Sequence, residues 1–179
     1  DLPFKSDIND AGIDAVVKQI ASSGAQMVFN HGSSGIYEKI IRKAREQQLT
    51  TQFYGVNSGS TQLARHLGPL AHNMIFAQVM PSPWERKTAI TRAYQEAFKA
   101  YKPKEDLSYG SLEGYMTARA LVEALRRAGP NPTRDSFVAG LKDADLQIDG
   151  LKVNYRNGIH SGLSLVDLAI VTREGKFRH

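Results

Sequence analysis

The chain has 179 residues, a net charge of +5 and a hydrophobic fraction of 41%, which together are typical of a packed protein rather than a disordered one. Its apolar runs are far shorter than the ~20 residues that a membrane-spanning helix needs. The chain contains no cysteine, which excludes disulfides, cysteine-bound zinc and a thiol nucleophile within it. Because basic and acidic residues alternate along the chain, the sequence favours a solvated basic surface over a nucleic-acid-binding face.

The chain opens with DLPFKSD, which has neither the basic n-region nor the apolar h-region of a signal peptide. A mature secreted protein would begin in the same way. The absence of cysteine is compatible with an oxidising compartment.

The first 80 residues alternate between helical and strand patterns. Residues 8–22 space their apolar side chains as a helix that buries one face. Strand patterns follow at 26–30, 51–56 and 73–80, and polar loops and helices separate them. The short apolar run at 26–30 is typical of a buried strand. Helices and strands that alternate with short connections predict a parallel α/β sheet.

The second part of the chain changes character after a pair of prolines. Long helices are predicted at 85–101 and 108–128, each with one apolar stripe, although few strands nearby could lie beneath them. Either these helices pack on each other, or their sheet lies outside this sequence. Near the end of the chain, strand patterns at 151–155 and 163–172, with a turn at 156–158 between them, predict antiparallel or terminal strands.

Two polar, glycine-containing loops each lead from a strand into a helix. His31–Gly35 follows the first strand, and Asn57–Ser60 follows the second. In an open α/β sheet, ligands bind where loops gather at the carboxyl ends of the strands, and helix N-termini favour anionic groups such as carboxylate. The alternative is a pair of ordinary turns whose serines cap the helices. Tyr109, at the start of the second long helix, is either a core residue or an aromatic wall of a cleft.

Motifs of catalysis are missing from the sequence. There is no Walker A motif, no GxSxG elbow and no HExxH pair, and the five histidines lack the spacing of metal ligands. No nucleophile, base and orienting group can be assembled from the spacing. The residues alone therefore give an enzyme little support, and we expect no metal and no cofactor.

The order of five segments resembles a known family. GAQMVFNHGSSG is followed by TTQFYGVNSGS, MIFAQVMPSPW and YGSLEGYMTARALVEAL, and the chain closes with GLKVNYRNGIHSGLSLVDLAIVTREGKF. This order resembles the periplasmic solute-binding proteins of ABC importers, in the branched-chain amino acid (Leu/Ile/Val-binding) group. The resemblance covers nearly the whole chain.

The resemblance implies the α/β type I periplasmic-binding-protein fold, in which two lobes, each a parallel sheet flanked by helices, are joined by crossing segments. This chain would be its C-terminal half. Residues 1–80 would belong to the second lobe, which is incomplete here, and 81–84 would be a hinge crossing. Residues 85–145 would be the returning helices of the first lobe, and 146–179 would cross back and add terminal strands to the second. The sheet beneath the long helices would then lie in a missing N-terminal half.

The resemblance also implies which residues face the solute. They are the cleft loop (His31, Ser33 and Ser34), the position where amino-acid binders carry an acidic residue that meets the ligand ammonium (Asn57), and the rim (Leu107, Ser108 and Tyr109). An amide can accept a hydrogen bond from an ammonium but cannot neutralise it. Asn57 therefore leaves an amide, or an aromatic or aliphatic carboxylate, open as the ligand beside an amino acid.

The function that the resemblance implies is the extracytoplasmic, periplasmic solute-binding component of an ABC importer. It would capture a small solute, a branched-chain or related amino acid or a similar carboxylate or amide, between two lobes. Hinge closure would then signal to a permease in the inner membrane. The alternative is a ligand-sensing regulatory or receptor domain of the same fold, which a DNA-binding or transmembrane segment in the full chain would favour. An α/β enzyme is a third class with little support.

Overall fold

The computed structural model describes residues 1–142 and 145–179, and the chain divides into two compact units. Unit 1 consists of Asp1–Gln78 and Asp167–His179, and unit 2 of Val79–Val166. In the described ranges, every helix is too short or too polar to cross a membrane.

In chain order the elements are α1 (Asp10–Ser23), β1 (Met27–Phe29), α2 (Ser34–Glu46), β2 (Gln52–Val56), α3 (Ser60–Leu67), a 3-10 turn (Gly68–Ala71), β3 (Ile75–Gln78), α4 (Ala89–Tyr101), α5 (Tyr109–Ala128), α6 (Arg134–Leu141), β4 (Asp145–Ile148), β5 (Leu151–Asn154), a second 3-10 turn (Arg156–Gly158), β6 (Asp167–Val171) and β7 (Phe177–Arg178). The predicted helices and parallel strands of the first 80 residues are present, with bounds shifted by at most two residues.

Unit 1 is a five-stranded sheet with the strand order β1-β2-β3-β6-β7. The first three strands are parallel, and β6 and β7 join them antiparallel. The register pairs Gln78, the last residue of β3, with Asp167, the first residue of β6. Side chains of α1, α2 and α3 form the core together with Phe53, Phe76 and Val171 from the sheet. The helices of unit 1 therefore cover one face of its sheet.

The other face of this sheet carries apolar side chains that the helices do not cover. Met27 and Phe29 on β1 are 65% and 60% exposed, and Leu168 and Ile170 on β6 are also exposed. The expectation of a buried first strand was wrong, because β1 is an edge strand whose outward side chains lie on this open face. Val28, which points to the opposite face, packs against the core.

In unit 2, α4 and α5 pack on each other. The ring of Tyr94 lies 5.6 Å from Phe98 and 5.7 Å from Tyr115, and its hydroxyl lies 2.6 Å from Ser111 Oγ. Leu112 at the start of α5 is buried in this contact region. Around Tyr94 and Leu112 the two long helices therefore pack on each other, which was the first of the two predicted alternatives.

The later turns of α5 are different, because they keep an exposed apolar stripe of Leu121, Val122 and Leu125. These residues recur at the spacing of one helix face, as does the buried stripe of an amphipathic helix. Within the described part of unit 2, this stripe stays open to solvent. The idea that part of the long helices packs on a sheet outside this sequence therefore stays a prediction.

The hairpin of β4 and β5 belongs to unit 2. A two-residue turn, Asp149-Gly150, with φ angles of +47° and +80°, connects its strands. Arg119 on α5 forms an ion pair of 2.6 Å with Asp149, and Leu146 and Val153 are buried. These contacts link the hairpin to α5, and the stretch up to Val166 belongs to the same compact unit as the long helices. The assignment of 146–179 as a crossing back and terminal strands of the second lobe stays a prediction.

Candidate functional site

The first polar loop is shaped by Asn30, directly after β1. Its backbone N–H donates to the Tyr54 carbonyl (3.3 Å), which continues the pairing of β1 with β2. Its side chain accepts a hydrogen bond from Gly32 N–H (3.0 Å) and donates to the Gly32 carbonyl (3.3 Å). The loop is therefore a tight turn in which His31 is exposed, and the hydrogen bonds of Asn30 and Gly32 fix the backbone on either side of it.

Ser33 and Ser34 begin α2. The hydroxyl of Ser33 accepts a hydrogen bond from Ile36 N–H (3.4 Å), so Ser33 is the N-cap of this helix. Ser34 is the first helical residue and is exposed. Capping thus accounts for Ser33 without a ligand, whereas it leaves the role of Ser34 open.

The second polar loop turns at Gly59, whose φ of +70° lies in the left-handed region that favours glycine. Ser60 N–H donates to the Asn57 carbonyl (3.0 Å), and Gly59 occupies the N-cap of α3, where it has no side chain to accept a hydrogen bond. Asn57 itself is half-buried. The loop is therefore compact, and its helix begins without a side-chain cap.

The two loops touch each other. A Cβ atom built on Gly59 would lie 3.3 Å from both the Cβ and the Oγ of Ser34. This distance is tighter than ordinary van der Waals contact, so a residue with a Cβ atom at position 59 would require the Ser34 loop to shift by a few tenths of an ångström. The structure thus brings Ser34 together with the Asn57–Gly59 loop, at the carboxyl ends of two neighbouring parallel strands.

Tyr37 and Glu38 on α2 form hydrogen bonds with the strands and with α3 behind these loops. The Tyr37 hydroxyl, buried under the sheet, lies 2.7 Å from the Tyr54 carbonyl and 3.2 Å from the Val28 carbonyl, and burial raises the pKa of Tyr37. Glu38 accepts a hydrogen bond from Arg42 (2.8 Å) and lies 3.3 Å from His66 Nδ1 on α3. Partial burial acts to raise the pKa of Glu38, but the hydrogen bonds from Arg42 and His66 outweigh it and lower that pKa below its ordinary value of 4.5.

Gln78 joins the end of β3 to the start of α3, and the sequence analysis missed it. Its side chain is fully buried, and its Nε2 donates to Ser60 Oγ (3.3 Å). Its Oε1 accepts no hydrogen bond from the described residues, which leaves a buried acceptor unsatisfied at a cost of about 1–3 kcal/mol. The signal in the sequence was a polar amide at the end of an otherwise apolar strand.

The predicted rim residues lie at the start of α5 in unit 2. Ser108 is its N-cap in a capping box with Ser111, in which each side chain bonds the backbone N–H of the other at 3.1 Å. Leu107 is half-buried, and Tyr109 is completely buried. The ring of Trp84 packs edge-on against Tyr109, with 5.3 Å between the ring centroids, and Trp84 remains exposed.

The two loops of unit 1 are polar and contain no Asp, Glu, Lys or Arg. The loops carry hydroxyl and amide groups, and the positive ends of the α2 and α3 dipoles lie behind them. Such groups hydrogen-bond a carboxylate or an amide. Within the described ranges, no group of three or more His, Asp or Glu residues is placed to hold a metal ion.

Comparisons with known proteins identify the family. The chain matches the model of the family described as periplasmic binding protein over residues 3–161. No curated protein matches the chain.

Among solved structures, an extracellular ligand-binding receptor from Verminephrobacter eiseniae is 24% identical, with a TM-score of 0.82 over 96% of this chain and 49% of that one. A possible leucine/isoleucine/valine-binding protein from Rhodopirellula baltica is 28% identical, with a TM-score of 0.77 over 86% and 42%. A branched-chain amino acid ABC transporter protein from Thermus thermophilus with bound valine is 20% identical, with a TM-score of 0.78 over 92% and 47%.

The chain thus spans about half the length of the solved structures that it matches. The likeness confirms the predicted α/β class and the type I periplasmic-binding-protein fold, with helices flanking a sheet that is parallel in β1 to β3. The residues that we predicted to face a solute stay predictions. On the strength of a match over most of its residues, the chain belongs to the periplasmic binding protein family.

Proposed function

We propose that this chain is part of the extracytoplasmic solute-binding protein of an ABC importer, and that its two polar loops contact a small solute. The observation that carries the proposal is the contact of Ser34 with Gly59, because it places the His31–Ser34 and Asn57–Gly59 loops side by side. Loops that meet at the carboxyl ends of parallel strands are where open α/β sheets bind ligands.

The solute class follows from the chemistry of the loops and from the relatives. The Thermus thermophilus protein was solved with valine, and the Rhodopirellula baltica protein is described as a possible leucine/isoleucine/valine-binding protein. The loops of this chain offer hydroxyl and amide groups and no carboxylate. We therefore expect a branched-chain or related amino acid, or a carboxylate or amide of similar size, with Asn57 as a neutral contact.

The partners include the rest of the same protein. The chain spans about half the length of its matches, and two apolar surfaces, the open face of the unit 1 sheet and the stripe at Leu121–Leu125, lack a covering layer within the described units. A missing N-terminal half would supply that layer. The second partner is an ABC permease in the inner membrane, which places the full protein in the periplasm.

Titration calorimetry of the full-length protein tests the solute class. The panel consists of leucine, valine, glycine, leucinamide and isovalerate, which separates the amino, carboxylate and side-chain groups. Asn57→Ala should weaken binding roughly 2- to 10-fold if Asn57 meets a neutral group, and roughly 10- to 150-fold if it meets an ammonium. Asn57→Asp should strengthen amino-acid binding and weaken binding of isovalerate.

Asn131 provides a matched control, because it is an exposed asparagine in a loop of unit 2. Asn131→Ala and Asn131→Asp make the same chemical changes away from the two loops and should leave every affinity unchanged. If wild type binds no member of the panel, the proposed solute class is wrong. If it binds and neither Asn57 variant differs from the Asn131 controls, Asn57 is a turn residue and the site is elsewhere.

A further inference from the structure

Gln78 places an amide inside the core at the carboxyl end of β3. Its side chain is 0% exposed, and it lies on the same face of the strand as Phe76, which belongs to the apolar core under the helices. Glutamine is mostly an exposed residue, because its amide needs hydrogen-bond partners when it leaves water. A fully buried glutamine at a strand end therefore needs a physical reason.

The partner of this amide is Ser60, the first residue of α3. Gln78 Nε2 donates to Ser60 Oγ (3.3 Å), and Ser60 is itself 1% exposed. Ser60 N–H in turn donates to the Asn57 carbonyl (3.0 Å), which closes the loop that follows β2. Because β2 and β3 are neighbouring parallel strands, this bond joins the end of one strand to the loop at the end of the next.

The start of α3 lacks the usual side-chain cap. Its N-cap is Gly59, which has no side chain to accept a hydrogen bond from the first turn. The bond from Gln78 instead restrains the next residue, Ser60, from the side of the sheet. Gly59 is also the residue that approaches Ser34, so a shift of Ser60 would move the point at which the two polar loops meet.

The other end of the Gln78 amide costs stability. Within the described residues its Oε1 accepts no hydrogen bond, and a buried acceptor without a partner is unfavourable. Methionine is unbranched and similar in length, and it would fill the same space without a polar atom that needs a partner. Packing alone therefore does not favour glutamine here. Residues that reduce stability in this way are typical of functional sites.

We propose that Gln78 is a positioning residue of the candidate solute site and that it holds the Asn57–Gly59 loop in place through Ser60. This role rests on the proposed function. Gln78 has no exposed surface, so it acts through Ser60 and does not touch the solute. Its bond completes a series of contacts across the ends of all three parallel strands, because the loop after β2 also contacts Ser34 in the loop after β1.

The experiment separates affinity from stability in the full-length protein. Gln78→Met, Ser60→Ala and the double variant are titrated by calorimetry with leucine, valine, glycine, leucinamide and isovalerate. For each solute that wild type binds, either single substitution should weaken binding roughly 2- to 10-fold, because the loop loses the alignment of about one neutral hydrogen bond. The double variant should lose no more than the more affected single variant, because both substitutions break the same bond.

Urea unfolding of the same variants gives the second half of the test. Gln78→Met should not lower the midpoint of unfolding, because it removes the unsatisfied acceptor together with the bond. Ser60→Ala should lower the midpoint, because it removes the partner of a buried donor and leaves the amide in place. A loss of affinity without a loss of stability in Gln78→Met is a result that a purely structural role would not give.

Gln52→Met is the matched control. Gln52 is the first residue of β2, at the end of the strand opposite to the loop, and its side chain donates to the Asn73 carbonyl. The substitution makes the same chemical change in the same sheet and should leave every affinity unchanged. Hydrogen exchange of Leu63, whose N–H donates to the Gly59 carbonyl (2.8 Å), should be roughly 2- to 10-fold faster in Gln78→Met and unchanged in Gln52→Met.

The outcomes distinguish this role from the proposed function. If wild type binds no member of the panel, the proposed solute class fails and the role of Gln78 in binding fails with it. If wild type binds and Gln78→Met matches Gln52→Met in affinity, the role of Gln78 is overturned and the proposed function stands. Additive losses in the double variant overturn it as well. Where Gln78→Met does not fold, the affinity and the Leu63 exchange of Ser60→Ala decide.

Discussion

The two polar loops approach each other closely because Gly59 has no side chain, and Gly59→Ala introduces a methyl group at this contact. The methyl group would lie 3.3 Å from the Cβ and Oγ of Ser34, so the Ser34 loop must move by a few tenths of an ångström. The substitution also forces alanine into a φ of +70°, which costs roughly 1–2 kcal/mol for a residue with a Cβ. The variant therefore combines a backbone penalty with a displacement of the candidate site.

Gly24→Ala separates these two effects. Gly24 ends α1 at a φ of +65°, and a Cβ atom there would meet nothing within 4 Å. Both variants should lower the free energy of unfolding of the full-length protein by roughly 1–2 kcal/mol. Only Gly59→Ala should also weaken solute binding, by roughly 2- to 10-fold, because the shifted loop loses the alignment of about one neutral hydrogen bond.

Chemical denaturation gives the stability of each variant, and calorimetry with leucine gives its affinity. The reasoning is refuted if Gly59→Ala binds as tightly as Gly24→Ala while both are equally destabilised. In that case the close approach of the loops does not affect solute binding. A loss of affinity in Gly24→Ala would refute it as well, since that glycine is remote from both loops in the chain.

Two further predictions concern stability. Glu38 has its pKa lowered, so its ion pair with Arg42 stabilises the protein above pH 4.5 and this contribution is lost as the pH falls through the folded-state pKa. The difference in unfolding free energy between wild type and Glu38→Gln should therefore be larger at pH 7 than at pH 3, as urea titrations would measure. Ser108→Ala should cost about 0.5–2 kcal/mol through the lost N-cap of α5, and Thr133→Ala at the exposed N-cap of α6 should cost less, measured by hydrogen exchange of the two helices.

A stability difference for Glu38→Gln that did not change between the two pH values would show that the carboxylate is not linked to folding. Equal losses at the two caps would show that the burial of Ser108, and the bond of its partner Ser111 to Tyr94, add nothing to capping.

The helices were predictable because their signals are local. Ile13, Val16, Val17 and Ile20 recur at helical spacing and are all buried in α1, and Gly24 ends that helix in the left-handed conformation that is common for a glycine at a helix C-terminus. Ser33, one of two serines named as candidates, is the N-cap of α2. Spacing and capping depend on neighbours within a few residues, so a single sequence carries them.

The strands at the limits of the chain were less predictable, because their burial depends on distant partners. The run at Met27–Phe29 is apolar enough for a central strand, yet it lies at the edge of the sheet. β4 was missed although Asp149-Gly150 is a strong hairpin signal, because the strand pattern near the end of the chain was recognised only from residue 151 onward. A local pattern shows that a strand exists but does not show which strands cover it.

The candidate site was likewise only partly predictable from the sequence. The sequence indicated that two polar loops follow neighbouring strands, and their contact at Ser34 and Gly59 agrees with the parallel order of β1 and β2. It could not show that Tyr109 is buried behind Trp84, or that Gln78 bonds Ser60 across eighteen residues. Those contacts depend on how side chains from separate elements pack, which periodicity does not encode.

The pairing of Gln78 with Asp167 has a consequence for the order in which the protein folds. These residues are neighbours in the sheet, yet the whole of residues 79–166 separates them in the chain. Closing a flexible loop of that length costs on the order of 4 kcal/mol in chain entropy. If the intervening stretch is already folded, much less chain has to be ordered at that moment. Substitutions that destabilise the α4–α5 packing should therefore slow the docking of β6 onto β3, although they touch neither strand.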